Sequence, residues 1–167
     1  IAMTVFGRHP ERSLEDLAGE ALIRALADAG CTAPQIGVAY YSGMTNGTLQ
    51  GQISIPGQVI FSKIGIEGIP VYNVENACAS GSSAFNLAVQ SLKAGTADVA
   101  LAIGAEKMNI PDKAKAFAIF EGGWDVSRAE ANAAVLMRMG EGITPPPGSE
   151  SDKPYSKFMA IYAAFCR

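Results

Sequence analysis

The strongest constraint on the fold is a set of strand-length apolar runs that return between helical stretches. Asp98 to Gly104 (DVALAIG) is continuously apolar after its first residue, the pattern of a strand buried on both faces. Gln35 to Ser42 (QIGVAYYS) and Ile69 to Val74 (IPVYNV) read as two further strands, and Ile1 to Phe6 as another. The intervening segments read as helices. Ser13 is placed to cap the first, with Asp16 completing a capping box. Leu14, Leu17, Ala18, Ala21, Leu22 and Ala25 then fall on one face, and Gly30 ends the helix. Gln52 to Lys63 reads as helical, with Pro56 suited to a first turn, and Gly43 to Gly51 as a loop. Gly81 to Ala94 reads as a buried helix terminated by Gly95. Strands alternating with helices predict an α/β fold with a parallel sheet covered on both faces. In such sheets ligands bind at the carboxyl ends of the strands.

The chain has 167 residues, enough for one domain with its own core. Only 17% of them are charged, which predicts that much of the surface is covered by another domain or subunit. A net charge of −3 with no basic stripe argues against nucleic acid as a partner. Cys31, Cys78 and Cys166 lie far apart with no ligand spacing, so no metal site is expected. An odd cysteine count and the lack of a signal peptide point to the cytoplasm, and no apolar run reaches the length of a membrane span. His9, the one histidine, sits beside Pro10 in a charged loop and reads as an exposed surface residue rather than a base.

Cys78 is the candidate chemical residue. It follows the strand ending at Val74 and precedes the helix of Gly81. A helix start supplies partial positive charge and unpaired N–H groups, the surroundings in which a cysteine serves as a nucleophile. The same N–H groups can hold the oxyanion formed when a carbonyl is attacked. The plainer reading is a small buried core thiol. Ser80, Gly81, Ser82 and Ser83 favour the first reading, being poor choices for helix stability that make sense where a ligand or backbone approaches closely.

After Met108 the character changes. Asn109 to Asp125 mixes lysines, aromatic residues and a glycine pair, and Ser127 with Glu130 predicts a second capping box opening a helix through Met139. Thr144 to Gly148 reads as an extended loop, and Pro154 to Arg167 as an amphipathic helix whose apolar end predicts that the polypeptide continues. The start at Ile1 likewise predicts a beginning inside the gene. The expected organisation is an α/β core over residues 1–108 and a partial loop or lid domain over residues 109–167.

Two segments carry a family resemblance. Asn73-Val74-Glu75-Asn76-Ala77-Cys78-Ala79-Ser80-Gly81-Ser82-Ser83-Ala84 and the strand ending Gly104-Ala105-Glu106-Lys107-Met108 resemble the thiolase superfamily, most closely the thiolases of the sterol-carrier-protein-2 type. The resemblance runs from Met3 to Met108 and weakens beyond Asn109, where Phe158 to Ala163 is similar to a helix of that family's loop domain. It implies two similar layered βαβ halves, of which this chain is the N-terminal one, with part of a loop domain inserted. It implies acyl-CoA chemistry: Cys78 takes an acyl group from a thioester, and a Claisen condensation or thiolytic cleavage of a 3-ketoacyl-CoA follows. Asn76, Ser80 and Gly81 belong to the motif around Cys78. No metal or redox cofactor is implied, since the CoA thioester is the substrate.

The family takes its base, a second cysteine and a second oxyanion hole from the other half, and none of them is matched here. Arg8-His9-Pro10 lies at the wrong end of the chain, and neither Cys31 nor Cys166 fits the second cysteine. The C-terminal half is therefore expected to be absent from this chain and the piece alone inactive. The alternatives are a subunit of a split thiolase or aldolase complex, with a small OB-fold protein as partner, and a non-catalytic module that binds acyl-CoA or lipid. The resemblance implies a homodimer or tetramer, paired through the strand at Pro70 to Val74. Lys107, Lys113 and Lys115 form the densest basic cluster; a solvated face is the plain reading, and attraction of a CoA ester the alternative.

Overall fold

The computed structural model describes residues 1–139 and 147–148. The chain divides into two compact units, Ile1–Ala116 and Phe117–Arg167. The first holds a three-stranded parallel sheet of β1 (Val38–Ser42), β2 (Val71–Val74) and β3 (Ala100–Gly104), in the order β2-β1-β3. The register aligns the carboxyl ends, because Ser42 is opposite both Val74 and Gly104.

The central strand is buried along its whole length, so its two sets of side chains need two separate covers. Ala39 and Tyr41 pack with Ala18 and Leu22 of α1 (Leu14–Ala29) and with Ile60 and Phe61 of α3 (Pro56–Lys63). Val38 and Tyr40 pack with Ala84 and Ala88 of α4 (Ser80–Lys93) on the other side. The result is α1 and α3, then the sheet, then α4. A strand apolar on both faces leaves no other stable arrangement.

Helix α1 begins where its capping box dictates: Ser13 Oγ accepts from Asp16 N–H at 3.1 Å, and Asp16 Oδ2 accepts from Ser13 N–H at 2.9 Å. Lys63 of α3 reaches Glu15 of α1 and ties the two helices of that layer together. Its hydrogen bond is the main cause that holds the Glu15 carboxyl down at about 2, from an ordinary 4.5. A depressed carboxyl stabilises the fold fully above pH 4.5 and loses that contribution as pH falls toward 2. Lys63 is 56% exposed, so water screens the pair, and Glu15→Gln is expected to cost only about 0.5–1 kcal/mol at neutral pH. Urea unfolding of both proteins along a pH series should show that gap narrowing below pH 4.5 and closing near pH 2.

Several elements differ from the sequence expectation. Ile1 to Phe6 is not a strand. Its backbone bonds to side chains instead of a neighbouring strand, with Arg24 donating to Met3 O at 2.8 Å and the His9 ring meeting Val5 O at 2.8 Å. His9 is accordingly half-buried rather than exposed. The expected loop after β1 contains a one-turn helix, α2 (Asn46–Gln50), closed at Gly51. The next helix starts four residues later than Gln52, because Ile55 takes a φ of 47° and Pro56 can only open a helix. Helix α4 is buried on one face alone: Phe85, Leu87 and Leu92 are exposed.

Helix α5 (Lys113–Ala118) crosses the boundary between the units. The second unit contains two 3-10 turns, Ile119–Gly123 and Val126–Arg128, and α6 (Ala129–Arg138). The capping expected of Ser127 belongs to Asp125, whose carboxylate accepts from Ser127 N–H at 3.0 Å and from its hydroxyl at 2.6 Å. The expected helix over Pro154 to Arg167 and most of the Thr144 to Gly148 loop lie outside the described residues. No helix among the described residues is long and apolar enough to cross a membrane.

Candidate active site

Beyond Val74 the chain leaves the sheet and enters a 3-10 turn, Ala77–Ala79, that runs directly into α4. The turn is strained at its first residue, where Ala77 has a φ of 47°. Left-handed backbone costs a residue with a Cβ about 1–2 kcal/mol. Side chains on both sides hold it there. Glu75 Oε1 accepts from Ala77 N–H at 2.7 Å, and Ser80 Oγ accepts from Asn76 N–H at 2.8 Å while donating to Ala77 O at 2.7 Å. Asn76 Nδ2 donates to Ser83 Oγ at 2.9 Å, and Asn76 O accepts from Ala79 N–H at 2.9 Å.

Ser80 is the only buried residue of this group, at 6% exposure. Ser80→Ala removes both bonds that close the turn, at an expected cost of about 1–2 kcal/mol. Denaturant unfolding measures that loss, and amide exchange at Asn76 should quicken with it.

Cys78 sits in this turn and is exposed. The thiol is not packed into the core of this unit: α4 turns Ala84 and Ala88 to the sheet and leaves the turn ahead of it exposed. Among the described residues neither Cys78 Sγ nor Cys78 N–H has a hydrogen-bond partner, whereas the N–H groups of Asn76, Ala77 and Ala79 are all taken. The turn thus offers an accessible sulfur and one free donor beside it. That is the pairing needed to attack a carbonyl and hold its oxygen.

Asn76 and Ser80 shape the turn, as described above. Gly81 opens toward empty space: a Cβ built on it meets nothing within 4 Å. Among the described residues no packing demands a glycine there. Ser83 was singled out in the sequence with Ser80, Gly81 and Ser82, whereas Glu75 was not. Asn76 lies ahead of the 3-10 turn and Ser83 in the first turn of α4, and their contact depends on how that turn runs into the helix, which spacing in the sequence does not record.

The remaining chemical residues lie elsewhere. Cys31 lines an apolar groove of about 550 Å³ along β3, together with Leu22, Leu26, Phe85 and Leu92; Cys78 is not part of it. Cys166 lies outside the described residues. Of the lysine cluster, Lys113 and Lys115 are exposed, as a solvated face requires, and Lys107 is half-buried. Lys107 Nζ donates to Pro10 O at 2.7 Å and Arg12 O at 2.6 Å, Lys113 Nζ to Ile110 O at 2.7 Å, and Lys115 Nζ to Leu49 O at 3.5 Å. Their ammonium groups close loops at the carboxyl end of the sheet.

The described residues form a layered α/β core that carries a cysteine on a strained turn between strand and helix. The family model for the thiolase N-terminal domain matches residues 1–140, and the chain belongs to the thiolase family. It is 40% identical over 105 residues to an acetyl-CoA acetyltransferase of Methanocaldococcus jannaschii, covering 63% of this chain and 26% of that protein. It is 37% identical over 110 residues to sterol carrier protein 2 of Gallus gallus, covering 65% of this chain and 19% of the relative. A crystal structure of an OleA variant from Xanthomonas campestris shares the fold, with a TM-score of 0.52 at 22% identity over 60% of this chain and 29% of that one. The chain spans about a fifth to a quarter of the length of the curated relatives it matches.

Proposed function

We propose that this chain is the nucleophile-bearing half of a thiolase-type acyltransferase. Cys78 Sγ attacks the carbonyl carbon of an acyl-CoA, and the N–H of Cys78 receives the developing oxyanion. The C–S bond to CoA breaks, CoA leaves carrying the proton that the thiol gives up, and the acyl group stays on Cys78. A second CoA ester then condenses with it in a Claisen step, or the reverse sequence cleaves a 3-ketoacyl-CoA. The base for that step is supplied from outside the described residues, in keeping with the bonding of His9 to Val5 O. The CoA thioester is substrate, and no metal or redox cofactor takes part. Pairing of two copies along the open edge of β2, where Tyr72 is 52% exposed, completes the proposal, with a cytoplasmic setting.

The observation that carries this reading is the exposed thiol beside its own unpartnered N–H, on a turn that four side chains keep strained. The test is intact mass after incubation with acetyl-CoA, on the protein expressed from its complete gene. One added acetyl group, mapped to the peptide holding Cys78, is the expected result. No added acetyl group, with acetyl-CoA still bound, would instead leave a non-catalytic acyl-CoA-binding module.

A further inference from the structure

The Gly104–Met108 motif has no part in the chemistry proposed above, yet two of its side chains reach far along the chain. We infer that Glu106 is a positioning residue for Cys78, acting through the loop that follows β1. Glu106 Oε1 accepts from Met44 N–H at 2.5 Å and from Thr45 N–H at 3.2 Å. One charged oxygen thus holds two consecutive backbone donors. The loop it grips leaves the central strand, so it has β3 on one side and β2 on the other. On the β2 side, Gly43 N–H donates at 3.4 Å to the carbonyl of Val74, the last strand residue before the Cys78 turn. Glu106 and Val74, the strand residue that leads into the Cys78 turn, therefore hold the same three-residue loop from opposite flanks.

The loop has no room to adapt beneath. Thr45 is 0% exposed and Asn46 3%. Asn46 Nδ2 donates to Tyr41 Oη at 2.6 Å, and Tyr41 passes the chain of bonds to Ala105 O at 2.9 Å. Burial pushes the Tyr41 hydroxyl up to about 12, so it remains a donor at neutral pH. A loop clamped this way fixes where the Val74 carbonyl and the following turn sit. Without Glu106, the N–H groups of Met44 and Thr45 lose their shared acceptor, and the loop between Gly43 and Asn46 is no longer held at its middle.

The test compares Glu106→Ala, Glu106→Asp and Glu106→Gln in the full-length protein. Gln keeps an oxygen at the same reach, whereas Asp is one methylene too short to hold both donors. Three readouts are taken: amide exchange at Met44 and Thr45, the rate of Cys78 alkylation by iodoacetamide, and kcat and KM for acetyl transfer from acetyl-CoA. In the Ala and Asp variants exchange at both amides should rise roughly tenfold, and kcat should fall roughly tenfold with KM within about twofold. The alkylation rate should depart from wild type by about threefold or more, and the Gln variant should restore every value. Wild-type kcat and alkylation rate in a folded Ala or Asp variant would overturn the inference; if Ala does not fold, Asp decides. The inference rests on the acyltransferase proposal only through kcat and KM. A wild-type protein that takes no acetyl group sinks that proposal, while alkylation and its rescue by Gln still decide the role of Glu106.

Discussion

Cys78→Ala is expected to abolish acetyl transfer, by roughly 10³-fold or more, while leaving the fold intact. The first half of this expectation follows from the chemistry. Among the described residues no other cysteine shares the turn, since Cys31 lies along β3 and is half-buried. The second half follows from exposure. An exposed side chain with no hydrogen bond on its sulfur has little packing to lose, and its truncation should change stability by less than about 0.5 kcal/mol. Intact mass after exposure to acetyl-CoA and a urea melt on the same sample measure both. Loss of transfer with an unchanged melt assigns Cys78 to chemistry. Transfer that survives the substitution would mean that another group carries the acyl chain.

Gly57→Ala is expected to destabilise the protein by about 2 kcal/mol, although alanine is the better helix former. The competing effects can be weighed. Inside a helix the change from Gly to Ala gains up to about 1 kcal/mol in propensity. At Gly57, however, α3 lies against the central strand, and a Cβ would meet Tyr41 Cβ at 2.6 Å and Asn73 Oδ1 at 2.8 Å. Tyr41 is fully buried and packs edge-on to Phe61 at a centroid distance of 6.1 Å, so it cannot step aside. Asn73 accepts from Gly57 N–H at 2.7 Å, and pushing it away breaks that bond as well. Overpacking of this kind costs about 3 kcal/mol. Chemical denaturation gives the difference directly, and a midpoint at or above wild type would show that α3 can shift off the sheet.

Much of this architecture was legible beforehand. Helix α1 was readable because Ser13 and Asp16 satisfy each other locally, and Gly30 closes it with left-handed backbone. Strands β1 and β3 were readable because both faces of each are apolar, which fits only a covered sheet. Where the expectation failed, a distant contact decided the outcome. Ile1 to Phe6 has strand-like composition, but Arg24 and His9 take its carbonyls before another strand can. Residues Asn46–Gln50 carry loop-like polar composition, but Asn46 is buried and bonded to Tyr41, and a helical turn follows.

The site divides along the same line. Sequence alone determined that a cysteine would stand between a strand and a helix, at the carboxyl end of a covered parallel sheet, in a thiolase-like motif. Those properties follow from local pattern: apolar run, turn residues, helix start. Only the tertiary structure decided that Cys78 is exposed, that its N–H is the donor left over, and that Glu75, Ser80 and Ser83 hold the turn around it. Only the tertiary structure joined Glu106 to Met44 and Thr45, which lie more than sixty residues earlier in the chain. Which donors a carboxylate meets depends on the order and register of strands, and those are set by how whole layers pack rather than by any segment's own preference.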